Sequence, residues 1–302
     1  MSIAVPLISQ CLVMFALMGM GLALFRLGFI SDTGTKELGS ILLNVVFPVV
    51  IIRSFWGHFT PENLGVLGIT FIAATTALVV AVVTARLAFP HDGVSEFSAA
   101  FSNAGFIGIP LVEAALGSEA VFYITCFIAE LNVLQWTYGK WRISGSADSI
   151  KLASVLTSPM LIGFAIGVAL FLLQAPVPEV AGNLMGTIAN LNSPLAMIIL
   201  GAYLAKSSPR SLFGTARTWA ASLVRLIAVP AATIALLAVM PAATSIKIAI
   251  LIAAAAPTGS NVAVFCQQLG EDTRAASNTV CLSTLLSIVT LPTIVGIAEL
   301  VL

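Results

Sequence analysis

Two short stretches carry most of the residues able to do polar chemistry, and both lie inside long apolar runs. The first holds Ser102, Asn103, Gly105, Gly108 and Pro110, and the second holds Pro257, Thr258, Gly259, Ser260 and Asn261. Glycine tolerates unusual backbone, and proline removes a donor and clashes with the preceding turn, so both stretches predict interrupted helices. An interrupted helix leaves free C=O groups on one side of the break and free N–H groups on the other. The N–H end carries about half a positive charge and suits a carboxylate; the C=O end suits a cation or a proton donor. Asn103 adds an amide donor and acceptor at one break, and Thr258, Ser260 and Asn261 add neutral polar groups at the other. Asn132 and Gln135, three residues apart, share a helical face. The candidate substrate site is therefore Asn103, Gly105, Gly108, Pro110, Asn132, Pro257, Thr258, Gly259, Ser260 and Asn261. Glu130, midway along an apolar run, and Gln135 are the candidates for coupling to a proton or sodium ion. Glu113 and Arg225 read as side chains that snorkel to water, and Arg53, near Trp56 and His58, as an interface anchor. His58 and His91 are far apart, so no metal site, cofactor or catalytic group is expected. Cys11, Cys126, Cys266 and Cys281 form no C-x-x-C pair and read as buried thiols.

The elements that must position these residues follow from composition. Of 302 residues, 59% are apolar and 9% charged, with 13 basic residues balancing 13 acidic ones. Soluble domains carry about 25% charged residues. Mean hydropathy is +1.07. A soluble two-domain enzyme and a nucleic-acid binder are excluded, since neither a polar surface nor a net basic charge is present. Long continuous apolar runs exclude a barrel of short alternating strands, leaving an all-α polytopic protein whose partner is the lipid bilayer. No G-x-x-x-x-G-K motif suggests a nucleotide-driven pump.

Ten spans are predicted, at residues 5–25, 38–55, 65–88, 97–116, 121–138, 152–173, 184–204, 219–240, 246–269 and 275–298. With the N-terminus outside, Arg26, Lys36, Arg86, Lys140, Arg142, Lys151, Lys206, Arg210, Arg217 and Arg274 all fall in cytoplasmic loops. Arg53 and Lys247 fall outside, and Arg225 lies within span eight. That bias predicts both termini outside the cytoplasm. Residues 139–151 form the longest polar stretch and divide the chain into 1–138 and 152–302. Five spans per half forces the second half to enter the membrane inverted, as in many secondary transporters. Echoes agree: Asn44 with Pro48 in span two and Asn192 with Pro194 in span seven; Gly117 and Gly270 after spans four and nine.

The run Asn103, Ala104, Gly105, Phe106, Ile107, Gly108, Ile109, Pro110 resembles the fourth-span motif of the auxin efflux carrier family, which includes plant carriers and bacterial malate or malonate permeases. Leu43 to Pro48, Pro194 to Leu204, Pro257 to Gln267 and Leu282 to Pro292 extend the resemblance over nearly the whole chain. It implies a 5+5 inverted repeat whose spans four and nine cross as broken helices. It also implies a scaffold of spans one, two, six and seven beside a mobile, elevator-type transport domain, and a homodimer through the scaffold. The short loop between spans five and six favours a prokaryotic solute permease of the inner membrane over a hormone carrier.

The leading expectation is a secondary transporter of a small organic anion such as malate or malonate. The alternative is a sodium/proton antiporter or sodium-coupled symporter of similar architecture. An intramembrane enzyme would need a nucleophile with a base, or a metal cluster, inside a span. Cysteine labelling at added loop sites should place residues 140–151 and 206–217 inside the cell; a cytoplasmic C-terminus would break both the span count and the inverted repeat.

Overall fold

The computed structural model describes residues 4–56, 61–150, 152–174, 176, 178–213 and 215–302. His58 and Lys151 lie outside the described residues. The chain is built of helices: α1 Ala4–Arg26, α2 Asp32–Phe55, α3 Pro61–Ala88, α4 Gly93–Ala100, α5 Ala104–Leu116, α6 Ser118–Ser144, α7 Pro159–Leu173, α8 Glu179–Lys206, α9 Ala216–Val239, α10 Thr244–Ala255, α11 Asn261–Leu269 and α12 Thr273–Val301. Among the described residues, seven helices are long and apolar enough to cross a membrane: α1, α2, α3, α6, α8, α9 and α12. An eighth is gained if α7 is joined to the short helix Ala147–Leu156, from which it bends by 42°. The segments read as spans four and nine each occur as two shorter helices, α4 with α5 and α10 with α11.

Local chemistry explains the starts and stops. Asp92, Ser158 and Asp272 each cap a helix, accepting from the N–H of Ser95 (3.1 Å), Leu161 (3.3 Å) and Ala275 (3.0 Å). Such a cap is worth about 1 kcal/mol. α5 and α11 both stop at a glycine of positive φ, Gly117 at 90° and Gly270 at 75°, where any other residue would be strained. Four helices contain a widened π turn, at Leu42–Val46, Ala104–Gly108, Gln135–Gly139 and Val224–Ala228. The first, second and fourth run directly into Pro48, Pro110 and Pro230. The wide turn moves the carbonyl that a proline ring would otherwise strike, so these prolines sit in helices instead of ending them.

α10 is the centre of the molecule: residues 246–255 are all buried. It packs against α3, α5, α6, α9 and α12, and its all-round apolar sequence is that of an interior helix. α6 runs six residues beyond the end expected from hydropathy, into the predicted polar loop. The reason is that its charges find partners on the protein. The Lys140 amine lies 5.0 Å from the centre of the Trp136 ring and 5.5 Å from that of Phe265, and Arg142 pairs with Glu96 at 2.6 Å.

α1 and the second half of α8 touch through backbone. A Cβ built on Gly21 would lie 2.3 Å from the Ile198 carbonyl oxygen, and one on Gly201 would lie 2.0 Å from that of Met18. Small residues allow this approach, as in other membrane helix pairs. Gly19, two residues away on α1, faces open space. Gly21→Val should therefore destabilise the purified protein by about 1–3 kcal/mol or more through overpacking, read as a lower thermal unfolding midpoint, while Gly19→Val should leave the midpoint near wild type.

Candidate functional site

The two breaks lie against each other. Residues 101–103 interrupt α4–α5, and residues 256–260 interrupt α10–α11. Ser102 and Thr258 form an antiparallel bridge. The Asn103 N–H donates to the Pro257 carbonyl at 2.7 Å, and the Gly259 N–H donates to the Phe101 carbonyl at 2.9 Å. A Cβ on Gly259 would lie 3.0 Å from the Ser102 carbonyl oxygen, so glycine permits the close strand-like pairing. The first break falls just before Gly105 and Pro110, in residues that are neither glycine nor proline. Pro110 lies within α5, two turns on.

The carbonyl end of α4 is completely satisfied. The Ser98 carbonyl accepts from the Thr258 hydroxyl at 2.9 Å. The carbonyls of Ala99 and Ala100 accept from Nη1 of Arg225 at 3.1 and 2.7 Å. The Phe101 carbonyl takes the Gly259 N–H. Arg225 thus does not snorkel to water as its position in the sequence suggests; it is 1% exposed. The carbonyl end of a helix carries about half a negative charge, and a cation there contributes up to about 2 kcal/mol when partly buried. Hydrogen bonds from a charged donor add roughly 1.5–3 kcal/mol each. Thr258 is further held by its own N–H, which donates to Ser283 Oγ at 3.1 Å.

The opposite end of α4 is anchored by acids. Glu96, whose side chain is buried, pairs with Arg86 at 3.2 Å and Arg142 at 2.6 Å and accepts from the Tyr138 hydroxyl. Asp92 pairs with Arg217 and accepts from Ser95. Burial pushes the Asp92 carboxyl up, and the bonds from Ser95 and Arg217 outweigh it, holding the group below the ordinary carboxylate range. Acids at the start of α4 and a cation at its end both match the helix dipole. Arg86, Asp92, Arg142 and Arg217 line a surface cleft of about 780 Å³ at this end of the molecule.

Beside the breaks lies a small cavity of about 40 Å³, lined by Ser102, Asn103, Gly105, Gln135, Ser260 and Asn261 among others. Such a volume holds a few waters. The N-terminal ends of α5 and α11 adjoin it. The first intrahelical donors of these helices are Ile107 and Val262, so the N–H groups before them are left over, as at any helix start. Ser102 Oγ and Asn103 Nδ2 are buried with no partner among the described residues. Asn261 Nδ2 donates to Gln135 Oε1 at 2.7 Å. Phe47 and Met160 also line the cavity, and Phe47 stacks on Phe106 with ring centres 5.3 Å apart.

Of the residues singled out in the sequence, Asn103, Gly105, Gly259, Ser260, Asn261 and Gln135 meet at this cavity, and Pro257 and Thr258 build the bridge beside it. Gly108 packs against Ile124. Asn132 does not line the cavity; its amide donates to Ser158 Oγ at 3.1 Å and so steadies the start of α7. Glu130 accepts from the Thr75 hydroxyl at 2.6 Å, on α3. Pro110, Arg53 and Glu113 line a much larger vestibule of about 630 Å³. Asn192, at the start of the second half of α8, also lines it and reaches the Gly105 carbonyl at 3.5 Å. Sequence reasoning noted Asn192 only as an echo of Asn44, left Ser102 out of the candidate site although it lies in the first polar stretch, and missed Arg225 and Ser283 as parts of the break. Ser102 was adjacent to the motif; nothing local marks the other two.

Apolar helices long enough to cross a membrane, around an interior seam of neutral polar groups, define a multi-pass membrane protein of transporter type. Residues 146–295 match the family model described as "Membrane transport protein". An "Uncharacterized transporter" of Methanothermobacter thermautotrophicus is 26% identical over 286 residues, covering 90% of this chain and 92% of that protein. Both matches are to membrane transport proteins, in agreement with the kind of protein that the span motifs resemble.

A Cβ on Gly105 would lie 2.3 Å from Phe47 Cζ. Gly105→Ala should lower the unfolding midpoint, and adding Phe47→Ala should recover part of the loss relative to Phe47→Ala alone. A double-mutant cycle with coupling of about 1 kcal/mol or more is expected; strict additivity would mean the ring yields freely.

Proposed function

We propose that the protein is a secondary transporter of a small organic anion, with a dicarboxylate such as malate or malonate as the substrate class. The observation that carries this reading is the polarity of the cavity beside the breaks. The carbonyl end of α4 is used up by Arg225, Thr258 and Gly259. The cavity lining includes two helix N-termini and two buried side-chain groups without partners, Ser102 Oγ and Asn103 Nδ2. Unpaired donors of this kind suit a carboxylate. Gln135, Asn261 and Ser260 would then orient it.

In this reading α4–α5 and α10–α11 are the crossing spans four and nine of a ten-span inverted repeat, with both termini outside. The placement of the cavity supports an elevator-type motion. It lies between Leu43, Phe47 and Met160, from the elements assigned to the scaffold, and residues of α5, α6 and α11, assigned to the moving domain. The vestibule lies along the same division, between α2 and α8 on one side and α5 on the other. Sliding one set past the other would widen the 40 Å³ cavity and connect it to one membrane face. The antiporter reading gains less support, because the cavity lining is neutral and does not include Glu130.

Uptake or binding of labelled malonate and malate in proteoliposomes tests the proposal. Asn103→Asp would place a carboxylate beside the bound anion. Like charges about 4 Å apart at an effective dielectric near 20 repel by roughly 4 kcal/mol, a loss of about a thousandfold. The defect should ease at low pH, where the new carboxyl protonates. Asn103→Ala removes one hydrogen bond of about 1 kcal/mol and should cost less than tenfold. Wild-type affinity for these anions in Asn103→Asp at neutral pH would sink either the site or the sign of the substrate.

A further inference from the structure

Arg225 uses one of its three nitrogens on α4. Its Nε and Nη2 are buried and have no partner among the described residues. These two form the outer edge of the guanidinium, the edge that meets both oxygens of a carboxylate side by side. Ser222 stands three residues earlier on the same face of α9. It is 0% exposed, and its hydroxyl also lacks a partner. Three buried donors without partners thus lie one turn apart on one helix face, two of them on a charged guanidinium.

The turn bearing Arg225 packs against α3, α4, α10 and α12. The acids at the start of α4 are committed elsewhere, Glu96 to Arg86 and Arg142 and Asp92 to Arg217. Among the described residues no carboxylate forms an ion pair with Arg225. The α4 carbonyls supply partial negative charge to Nη1 only. A buried cation with a free fork and a free hydroxyl beside it lacks an acceptor of negative charge.

We propose that Nε and Nη2 of Arg225, with the Ser222 hydroxyl, form a buried seat for one small anion, either a halide or a single carboxylate group. Neither residue lines the cavity between the breaks, so the seat is separate from the candidate substrate site and does not rest on it. Its occupant neutralises the charge that holds the carbonyl end of α4, and so couples the integrity of the break to a bound anion.

The test uses the purified full chain in detergent or nanodiscs, with the thermal unfolding midpoint followed at constant ionic strength. Chloride and formate, exchanged for gluconate, should raise the midpoint saturably; gluconate is too bulky for a closed interior. Ser222→Ala should raise the half-saturating chloride concentration about fivefold, the effect of one lost hydrogen bond. Arg225→Gln should abolish the response. If that variant does not fold, Ser222→Ala alone decides. Asn103→Ala, at the other site, should respond as wild type does. In that variant, malonate competing with chloride would identify the occupant as a substrate-type carboxylate; chloride binding unaffected by malonate would identify a halide seat. Equal midpoints in chloride and gluconate, or a response lost in Asn103→Ala and intact in Ser222→Ala, would overturn the proposal. The Asn103→Ala arm separates it from the transport reading, because malonate affinity weakens there while the chloride response stays at the wild-type level.

Discussion

In hydrocarbon a peptide group without a hydrogen-bond partner is destabilising by several kcal/mol, and the breaks at residues 101–103 and 256–260 create several such groups at once. The fold around them is largely an answer to that problem. Each break supplies the other with a donor and an acceptor through Asn103, Pro257, Phe101 and Gly259. What the backbones of the breaks cannot give each other comes from the Thr258 side chain, from Arg225 on α9 and from Ser283 on α12. The central, fully buried position of α10 is the same answer on a larger scale: irregular backbone is kept in protein and away from lipid.

The satisfaction is lopsided, and the lopsidedness gives the interior its polarity. Carbonyls at the end of α4 are paired, while donors at the starts of α5 and α11 remain. Had Arg225 been a neutral residue, Ala99 and Ala100 would present bare acceptors near the breaks and the local field would suit cations as well as anions. A single buried guanidinium therefore shapes both the stability of an eight-residue helix and the sign of the charge that its surroundings favour. α4 is too short to persist by its own hydrogen bonds. It is held instead by charge at both ends, Glu96 and Asp92 at the start and Arg225 at the finish.

Much of this was legible in the sequence because glycine and proline act locally. The two interruptions and the helix stops at Gly117 and Gly270 follow from residue type and spacing; that Asn103 would meet Gly259, Ser260 and Asn261 was what the resemblance implied. The exact break did not. Pro110 looks like the breaker, but the π turn at Ala104–Gly108 absorbs it, and the chain unwinds earlier, where the bridge to Thr258 takes over its backbone bonds. Pro110 thus lies inside a helix, whereas Pro257 lies at a break. Arg225 and Asn132 were misjudged for a different reason. Long or polar side chains reach partners many residues away, Ala99 and Ser158 here, and a single sequence carries no trace of that distance. Glu96 is the same case, its partners spread from Arg86 to Arg142.

The bond between Asn103 and Pro257 joins residues separated by about half the chain. During synthesis the first half therefore reaches the membrane with its break unmatched, and it stays so until α10 and α11 have been made. α4 and α10 are each too short to settle across a bilayer alone. The nascent protein must wait, with exposed peptide groups sheltered by an insertase cavity, by water or by temporary partners, before the two halves can close on each other. Closure of the seam is then a late event that follows insertion of the longer helices.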